Sequence, residues 1–218
     1  EKPDVIINIV DATNLERNLY LTTQLIEIGI PVLVALNMMD VVLKHGDPID
    51  SAGLSADLGC EVLEISALKG AGLDELILKV KAMSGDKQDQ NRPGIFRPSI
   101  EAAVTAIEAE LAERVRQDQL RFAAVKVFER DAAMLERLGL QQAIRGKIDQ
   151  IIRSSEIELD DDSESIITAE RYAFVTRITA NRHVRAKSGH ETLSDRIDRV
   201  VTSRILALSS EERRGGKE

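Results

Sequence analysis

Two short apolar runs on either side of one helix-length segment constrain the fold of this chain more than any other feature. The first run is VIINIV at residues 5–10, and the second is PVLVAL at residues 31–36. Near-continuous β-branched runs of this length are typical of strands that are covered on both faces of a parallel sheet. Between the runs, apolar residues recur at helical spacing, and Gly29 follows where a helix would end. The pattern predicts a right-handed βαβ unit.

The α/β alternation continues to about residue 83. We predict a short helix over 51–58, a strand over 61–65, and a further helix with an apolar face made of Leu73, Leu76, Ile77 and Val80. Residues 84–98 then combine Gly and Pro with a polar cluster, which indicates a linker.

Beyond the linker, helical periodicity replaces the strand runs. The first apolar stripe consists of Ile100, Val104, Ile107, Leu111 and Val115. Further candidate helices cover Arg121–Glu129, Asp131–Leu138, Gln141–Ser155, Ser163–Lys187 and Thr192–Leu208. We therefore predict an α/β fold with a partial parallel sheet over 1–83, an all-α domain over 99–208, and a tail without apolar periodicity over 209–218.

Composition and charge exclude several classes of protein. The formal net charge is −8, which disfavours a nucleic-acid partner unless there is a local basic patch, and we find none of convincing size. No stretch approaches the roughly 20 apolar residues of a membrane span, so we expect the chain itself to be soluble. Cys60 is the only cysteine, which excludes an intrachain disulfide and fits a reducing compartment.

The strongest chemical signal is the tetrapeptide NMMD at residues 37–40, directly after the second strand. Ligands of open α/β sheets bind at this carboxyl edge. Guanine presents two parallel N–H donors, and a fixed carboxylate at Asp40 can accept both, whereas adenine places an acceptor opposite one of the oxygens. The motif therefore indicates guanine recognition.

The third strand leads into Ser66, Ala67, Leu68, Lys69 and Gly70, and this loop is expected at the same edge. Its backbone N–H groups could donate to guanine O6. The alternative is that Asn37, Asp40 and Ser66 merely cap a strand exit and the next helix. The joint placement of the two motifs favours a nucleotide site.

With these motifs in place, the chain resembles the ferrous iron transport protein B family of bacteria. The resemblance rests on VIINIVDATNLERNLYL at 5–21, NMMD at 37–40, AERYAF at 169–174 and ETLSDRIDR at 191–199. It covers residues 1–208 and leaves the tail outside.

The resemblance implies a site and a role. Asn37 and Asp40 would read the base, Met38 would cover it, and Ser66, Ala67 and Leu68 would form the second base loop. Most small GTPases have Lys where this chain has Met38, so we expect weak binding and fast release of GTP or GDP. The role implied is the GTP-binding portion of a Fe²⁺ uptake transporter, on the cytoplasmic face of the bacterial inner membrane.

The phosphate-binding half of a guanine-nucleotide domain is missing from this sequence. It contains no G-x-x-x-x-G-K-[ST] motif, and it opens at Glu1 without Met and enters a strand pattern at once. We expect an N-terminal truncation, with Mg²⁺ bound only when the missing part is present. By itself the chain is expected neither to hydrolyse GTP nor to bind it tightly, and its partners would be the missing half and a membrane domain.

Other features give weaker signals. The acidic run from Glu156 to Glu164 reads as a solvated loop before a helix, and the three histidines lack ligand spacing, so we name no metal-binding or catalytic residue. Arginines interleave with apolar residues over 196–205, which suits either a membrane-proximal segment or an ordinary amphipathic helix.

Several alternatives stay open. A GTPase of ribosome assembly or tRNA modification would share the base loops, but its appendage should be basic, and this one is acidic and poor in aromatic residues. A protein-interaction module without nucleotide is the other rival. Assembly into a homo-oligomer is a further alternative that stays open.

Overall fold

The computed structural model describes residues 3–46, 48–84 and 93–182. The part up to residue 84 is called the sheet half below, and the part from residue 93 the helical half. The described sheet half contains strands β1 (Ile6–Asp11), β2 (Val32–Asn37) and β3 (Glu61–Glu64), and helices α1 (Leu15–Glu27), α2 (Met39–His45), α3 (Ser51–Leu58) and α4 (Leu73–Met83). The helical half contains α5 (Pro98–Leu111), α6 (Gln117–Phe128), α7 (Ala132–Leu138), α8 (Gln142–Leu159) and α9 (Ser163–Arg182). The predicted class, a partial parallel α/β sheet followed by an all-α part, is confirmed.

The sheet has the order β1-β2-β3 with both pairs parallel. Val10 lies opposite Leu36 across the first pair, and Leu36 lies opposite Glu64 across the second. The carboxyl ends of β2 and β3 therefore meet at one edge of the sheet, where the candidate site was predicted.

Local sequence explains where α1 begins and ends. The Asp11 carboxylate accepts hydrogen bonds from the backbone N and the hydroxyl of Thr13, which turns the chain out of β1 through a short 3-10 helix. Leu15, Leu19 and Ile26 are buried against the sheet at helical spacing. Gly29 has φ 78°, a left-handed conformation that a glycine adopts without strain, and the predicted stop is confirmed.

The prediction that β1 is covered on both faces is wrong. Asn8 and Val10 are buried on the α1 side, and the Asn8 amide donates to the Thr22 hydroxyl at 2.7 Å. On the other face, however, Ile7 is 44% exposed and Ile9 is 64% exposed. β1 is an edge strand of the described sheet, and nothing in the described chain covers that face at these positions. An apolar run shows that a residue can be buried, not that a partner is present.

Helix α4 also leaves its apolar side chains open. None of its residues is fully buried: Leu73, Leu76 and Val80 of the predicted stripe are half-buried, and Ile77 is exposed together with its neighbour Leu78. The predicted one-sided stripe is therefore present in sequence, but it does not pack into a core here.

The helical half buries four of the five predicted stripe residues, and the fifth, Val115, lies beyond the end of α5 and is half-buried. Ile100, Val104, Ile107 and Leu111 are fully buried on α5. Helix α6 begins at Gln117, four residues before the predicted start at Arg121, and Asp118 in its first turn suits the positive end of the helix dipole.

Caps set the remaining helix boundaries. The Asp131 carboxylate accepts from the backbone N of Met134 at the start of α7, and left-handed Gly139 ends that helix. Helix α8 continues past the predicted end at Ser155 until Asp160 adopts φ 52°. Helix α9 starts at Ser163 as predicted, but its predicted end at Lys187, the helix over 192–208 and the tail lie outside the described residues.

The described residues of both halves lie within one compact unit. Helix α9 packs against α1 and α3 of the sheet half as well as against α8. Glu170 of α9 also fastens the start of α5, because its carboxylate accepts from the backbone N and the Nε of Arg97, each at 2.6 Å. The linker and domain limits given above remain predictions.

Candidate nucleotide-base site

The site residues predicted from sequence lie together at the carboxyl edge of the sheet. Asn37 is the last residue of β2, Asp40 lies in the first turn of α2, and Ser66 follows the end of β3. Two backbone hydrogen bonds join these segments: Ile65 N donates to Leu36 O at 2.7 Å, and Met39 N donates to Ile65 O at 3.3 Å. Two loops distant in sequence thus form one rigid edge.

Asp40 is held by the second loop. Its Oδ1 accepts from the Ser66 hydroxyl at 2.8 Å, and its Oδ2 lies 3.6 Å from the ammonium of Lys69. The Ser66 hydrogen bond, more than the Lys69 charge, lowers the pKa of Asp40. At neutral pH the carboxylate is therefore ionised and acts only as an acceptor, which is the state that recognition of two N–H donors needs.

Asn37 is hydrogen-bonded to the second loop. Its Oδ1 accepts from the backbone N of Ala67 at 3.0 Å. This bond occupies a donor that the sequence analysis assigned to guanine O6. The backbone N of Leu68, next in the chain, has no hydrogen-bond partner among the described residues. Leu68 N–H is therefore a free donor of this loop within the described residues.

Two apolar side chains stand out from the edge. Leu68 is 90% exposed at the tip of its loop, and Met38 is 43% exposed between Asn37 and α2. Met38 also has φ 68°, a left-handed conformation that disfavours any side chain with a Cβ. The site thus combines one carboxylate, one free N–H and two apolar side chains that could cover a ring.

A glycine makes the second loop tight. Ser66 and Ala71 pair across the loop, and Gly72 follows with φ 77°. A Cβ on Gly72 would lie 2.4 Å from the carbonyl oxygen of Glu64, too close for any other residue. The sequence analysis did not single out Gly72 or the contact of Lys69 with Asp40; the G-A-G spacing at 70–72 was the available signal.

The acidic run before α9 is engaged in local structure. Asp162 accepts from the backbone N and the hydroxyl of Ser165, and Glu156 pairs with Arg130. These contacts lower the pKa of both carboxyls, through Ser165 for Asp162 and through Arg130 for Glu156. Within the described ranges, no group of three or more His, Cys, Asp or Glu side chains is arranged to hold a metal ion.

No helix in the described part of the chain combines the length and the apolar character that crossing a bilayer requires.

A parallel sheet with the loops at 37–40 and 66–70 side by side at its carboxyl edge, followed by a helical half, has the architecture of part of a guanine-nucleotide-type fold joined to an all-α part. Family profiles agree with this class: one described as ferrous iron transport protein B matches residues 1–80, and one described as FeoB cytosolic helical domain matches residues 96–182. The chain belongs to the ferrous iron transport protein B family.

Individual relatives support the assignment. The Fe(2+) transport protein A/Fe(2+) transporter FeoB fusion protein of Porphyromonas gingivalis is 36% identical over 95% of this chain. Two crystal structures from S. thermophilus are similar as well. An NFeoB E67A mutant bound to GDP has TM-score 0.77 and 45% identity over 80% of this chain and 67% of its own. The mGMPPNP-bound NFeoB has TM-score 0.77 and 42% identity over 86% and 70%.

The match covers only part of each full-length relative. The chain spans 26% of the length of the P. gingivalis protein.

Proposed function

We propose that the sheet half supplies the guanine-reading part of a GTP-binding domain in a ferrous iron transporter. The observation that carries this proposal is the ionised Asp40 carboxylate, held by Ser66 at the carboxyl edge of the sheet. The names and ligands of the relatives support it, since the similar S. thermophilus structures hold GDP and mGMPPNP. The family assignment favours this function over an RNA-associated GTPase or an interaction module.

Each part of the site has a role in this proposal. Asp40 accepts the N1–H and the N2–H of guanine, while Leu68 N–H donates to O6 on the opposite side of the base edge. Adenine has an acceptor at N1, which would face the Asp40 carboxylate, and an amino donor at position 6, which would face Leu68 N–H. Both contacts would be repulsive, so adenine is disfavoured. Asn37 holds the Leu68 loop in place through Ala67. Ser66 fixes the rotation of the Asp40 carboxylate and leaves acceptor capacity on both oxygens.

Met38 determines how tightly the base is held. Its thioether can cover one face of the ring, but it carries no charge, unlike the Lys that most small GTPases have there. We propose that the site reads the base with modest affinity, and that the phosphates and Mg²⁺ are bound by elements that this sequence does not contain.

The open surface of the sheet half supports the same proposal. Ile7 and Ile9 on β1 and Ile77 and Leu78 on α4 are exposed apolar side chains of the kind that a further layer of a nucleotide domain would cover. The helical half would then stand between that domain and a membrane part on the cytoplasmic side. GTP binding and hydrolysis in the complete domain would be coupled to Fe²⁺ uptake by the whole transporter.

A titration followed by nuclear magnetic resonance tests base recognition on the 218-residue chain. We expect millimolar GDP to shift the backbone amide signals of Met38, Ala67 and Leu68, and equal ADP to leave them in place. Asp40→Ala should abolish the GDP response, whereas Asp162→Asn, a capping carboxylate in the helical half, should retain it. Equal responses to ADP and GDP would refute the proposal.

A further inference from the structure

A single arginine joins three helices inside the protein. Arg171 of α9 is 1% exposed and donates from Nη2 to Oε2 of Glu27 on α1 at 2.7 Å. It also donates from Nη1 to Oε1 of Glu129, which caps the C-terminal end of α6, at 2.6 Å. Lys126 gives Glu129 a second cationic partner at 2.6 Å. The sheet half and the helical half are thus connected by a buried ion pair between Glu27 and Arg171. Glu129, the other partner of Arg171, also has the charge of Lys126 to balance it.

The contact between Arg171 and Glu27 is incomplete. Among the described residues, two buried side-chain polar atoms have no hydrogen-bond partner, and they are Arg171 Nε and Glu27 Oε1. One is a donor and the other an acceptor, and they belong to the two residues already joined by one hydrogen bond. Buried polar atoms are rarely left without a partner, so this pair indicates an arrangement that can rearrange.

We propose that Glu27 and Arg171 form a two-position latch between α1 and α9, open with one hydrogen bond in this structure and closed with two. In the closed position Nε donates to Oε1 while Nη2 keeps its bond to Oε2. This is the side-on bidentate geometry that a guanidinium and a carboxylate favour. The latch does not depend on the proposed nucleotide function.

Closing the latch leaves the third helix in place. Nη1 points to Glu129 in both positions, so the bond to α6 is conserved and only the α1 side moves. A cavity of about 250 Å³ is lined by Glu27 together with Ile26, Ile95 and Arg121. Its volume gives the Glu27 carboxylate room to rotate, whereas the guanidinium is fixed by Glu129.

The position of Glu27 suits the latch to sense movement of α1. Helix α1 has 13 residues and is therefore about 20 Å long. Its first turn follows the 3-10 helix that contacts α2, the helix that carries Asp40. Glu27 is its last residue. A small tilt of α1 at the site edge would change the distance between Glu27 and Arg171 at the far end.

Relaxation-dispersion measurements on the arginine Nε–H signals test the latch in the 218-residue chain. The Arg171 signal is assigned by its loss in Arg171→Lys. We expect exchange between two states, with the Nε–H proton shifted downfield in the bidentate one. Glu27→Gln should abolish this exchange, because an amide has a single acceptor oxygen and cannot close the fork. Glu129→Gln is the matched control, and the exchange should persist in it.

These outcomes separate a latch from a purely structural ion pair. A structural pair would respond to Glu27→Gln and Glu129→Gln through stability alone, with no selective effect on exchange at Nε. A single Arg171 Nε–H state in the wild-type chain would overturn the proposal. Exchange that survives Glu27→Gln would overturn it equally. Circular dichroism of both variants confirms that each is folded.

Discussion

The two halves of the molecule are equally apolar in pattern but not equally buried. In the helical half, Ile100, Val104, Ile107 and Leu111 are fully buried on a single helix. In the sheet half, Ile7 and Ile9 are exposed on β1, and α4 has no fully buried residue. The difference teaches that an apolar pattern alone does not decide burial: α5 faces the core that both halves share, whereas β1 and α4 each leave apolar side chains accessible.

The two halves also treat their key carboxylates differently. Asp40 at the edge of the sheet has a lowered pKa because Ser66 donates to it. Glu27, where the halves meet, has a raised pKa because burial outweighs the attraction of Arg171. The surroundings of Asp40 therefore favour its ionised form, whereas burial disfavours the ionised form of Glu27.

The largest effect is expected from breaking the contact between the halves. Arg171→Met leaves the buried Glu27 and Glu129 without their shared cation, which should destabilise the protein by about 3–5 kcal/mol in urea unfolding. Glu129 keeps its ion pair with Lys126, so adding Glu27→Gln to the same chain removes the charge that is left without a partner and should restore roughly half of the loss or more. A double variant as unstable as Arg171→Met would show that this charge is not the cause.

The next largest effect is expected from shortening one isoleucine in each half and comparing the losses of unfolding free energy. Ile107→Ala creates a cavity in the helical half and should cost about 2–5 kcal/mol of unfolding free energy. Ile9→Ala removes the same kind of side chain from the open face of β1 and should change it by less than about 0.5 kcal/mol. Similar losses for both variants would contradict the claim that the β1 face is uncovered.

The raised pKa of Glu27 predicts an unusual dependence on pH. In the pH range between the ordinary pKa of 4.5 and the raised pKa of the folded state, Glu27 is protonated to a greater extent in the folded protein than in the unfolded chain. The unfolding free energy of the wild type relative to Glu27→Gln should therefore fall as pH rises from about 5 towards the folded pKa of Glu27. Asp162→Asn is the control, because folding lowers the pKa of Asp162. The unfolding free energy of the wild type relative to Asp162→Asn should therefore not change with pH above about pH 5. If the unfolding free energy of the wild type relative to Glu27→Gln grew with pH instead, the pKa of Glu27 would be lowered by folding and not raised.

The smallest effect concerns Met38. Glycine adopts its left-handed conformation freely, so Met38→Gly should be neutral or stabilise the protein by up to about 1 kcal/mol. Leu43→Gly places the same residue in the right-handed, exposed part of α2 and should cost about 1 kcal/mol. Thermal unfolding of both variants checks the prediction, and a loss for Met38→Gly equal to that for Leu43→Gly would contradict it.

The sequence predicted the elements whose signals are local. Asp11, Gly29 and Asp131 act through neighbouring backbone, and their helix boundaries follow from that chemistry. The edge formed by Asn37, Asp40 and Ser66 was also predictable, because parallel strands place their carboxyl ends together.

Features that depend on distant partners were not predictable. The burial of β1 depends on what covers its second face, and the apolar run at 5–10 contains no information on that. The Glu27, Glu129 and Arg171 contact joins positions far apart in the chain, and each of these residues alone is an ordinary charged residue of a helix. The occupation of Ala67 N–H by Asn37 depends on loop geometry that only the structure gives.

The most direct test of the account is a change of base specificity at position 40. Asp40→Asn replaces one acceptor oxygen by an N–H donor, which matches the 2-carbonyl of xanthine and opposes the 2-amino group of guanine. In titrations of the 218-residue chain, the wild type should favour GDP over xanthosine diphosphate, and Asp40→Asn should reverse the preference, each by about 5- to 150-fold. A variant that keeps the wild-type preference for GDP would contradict the claim that Asp40 reads the base.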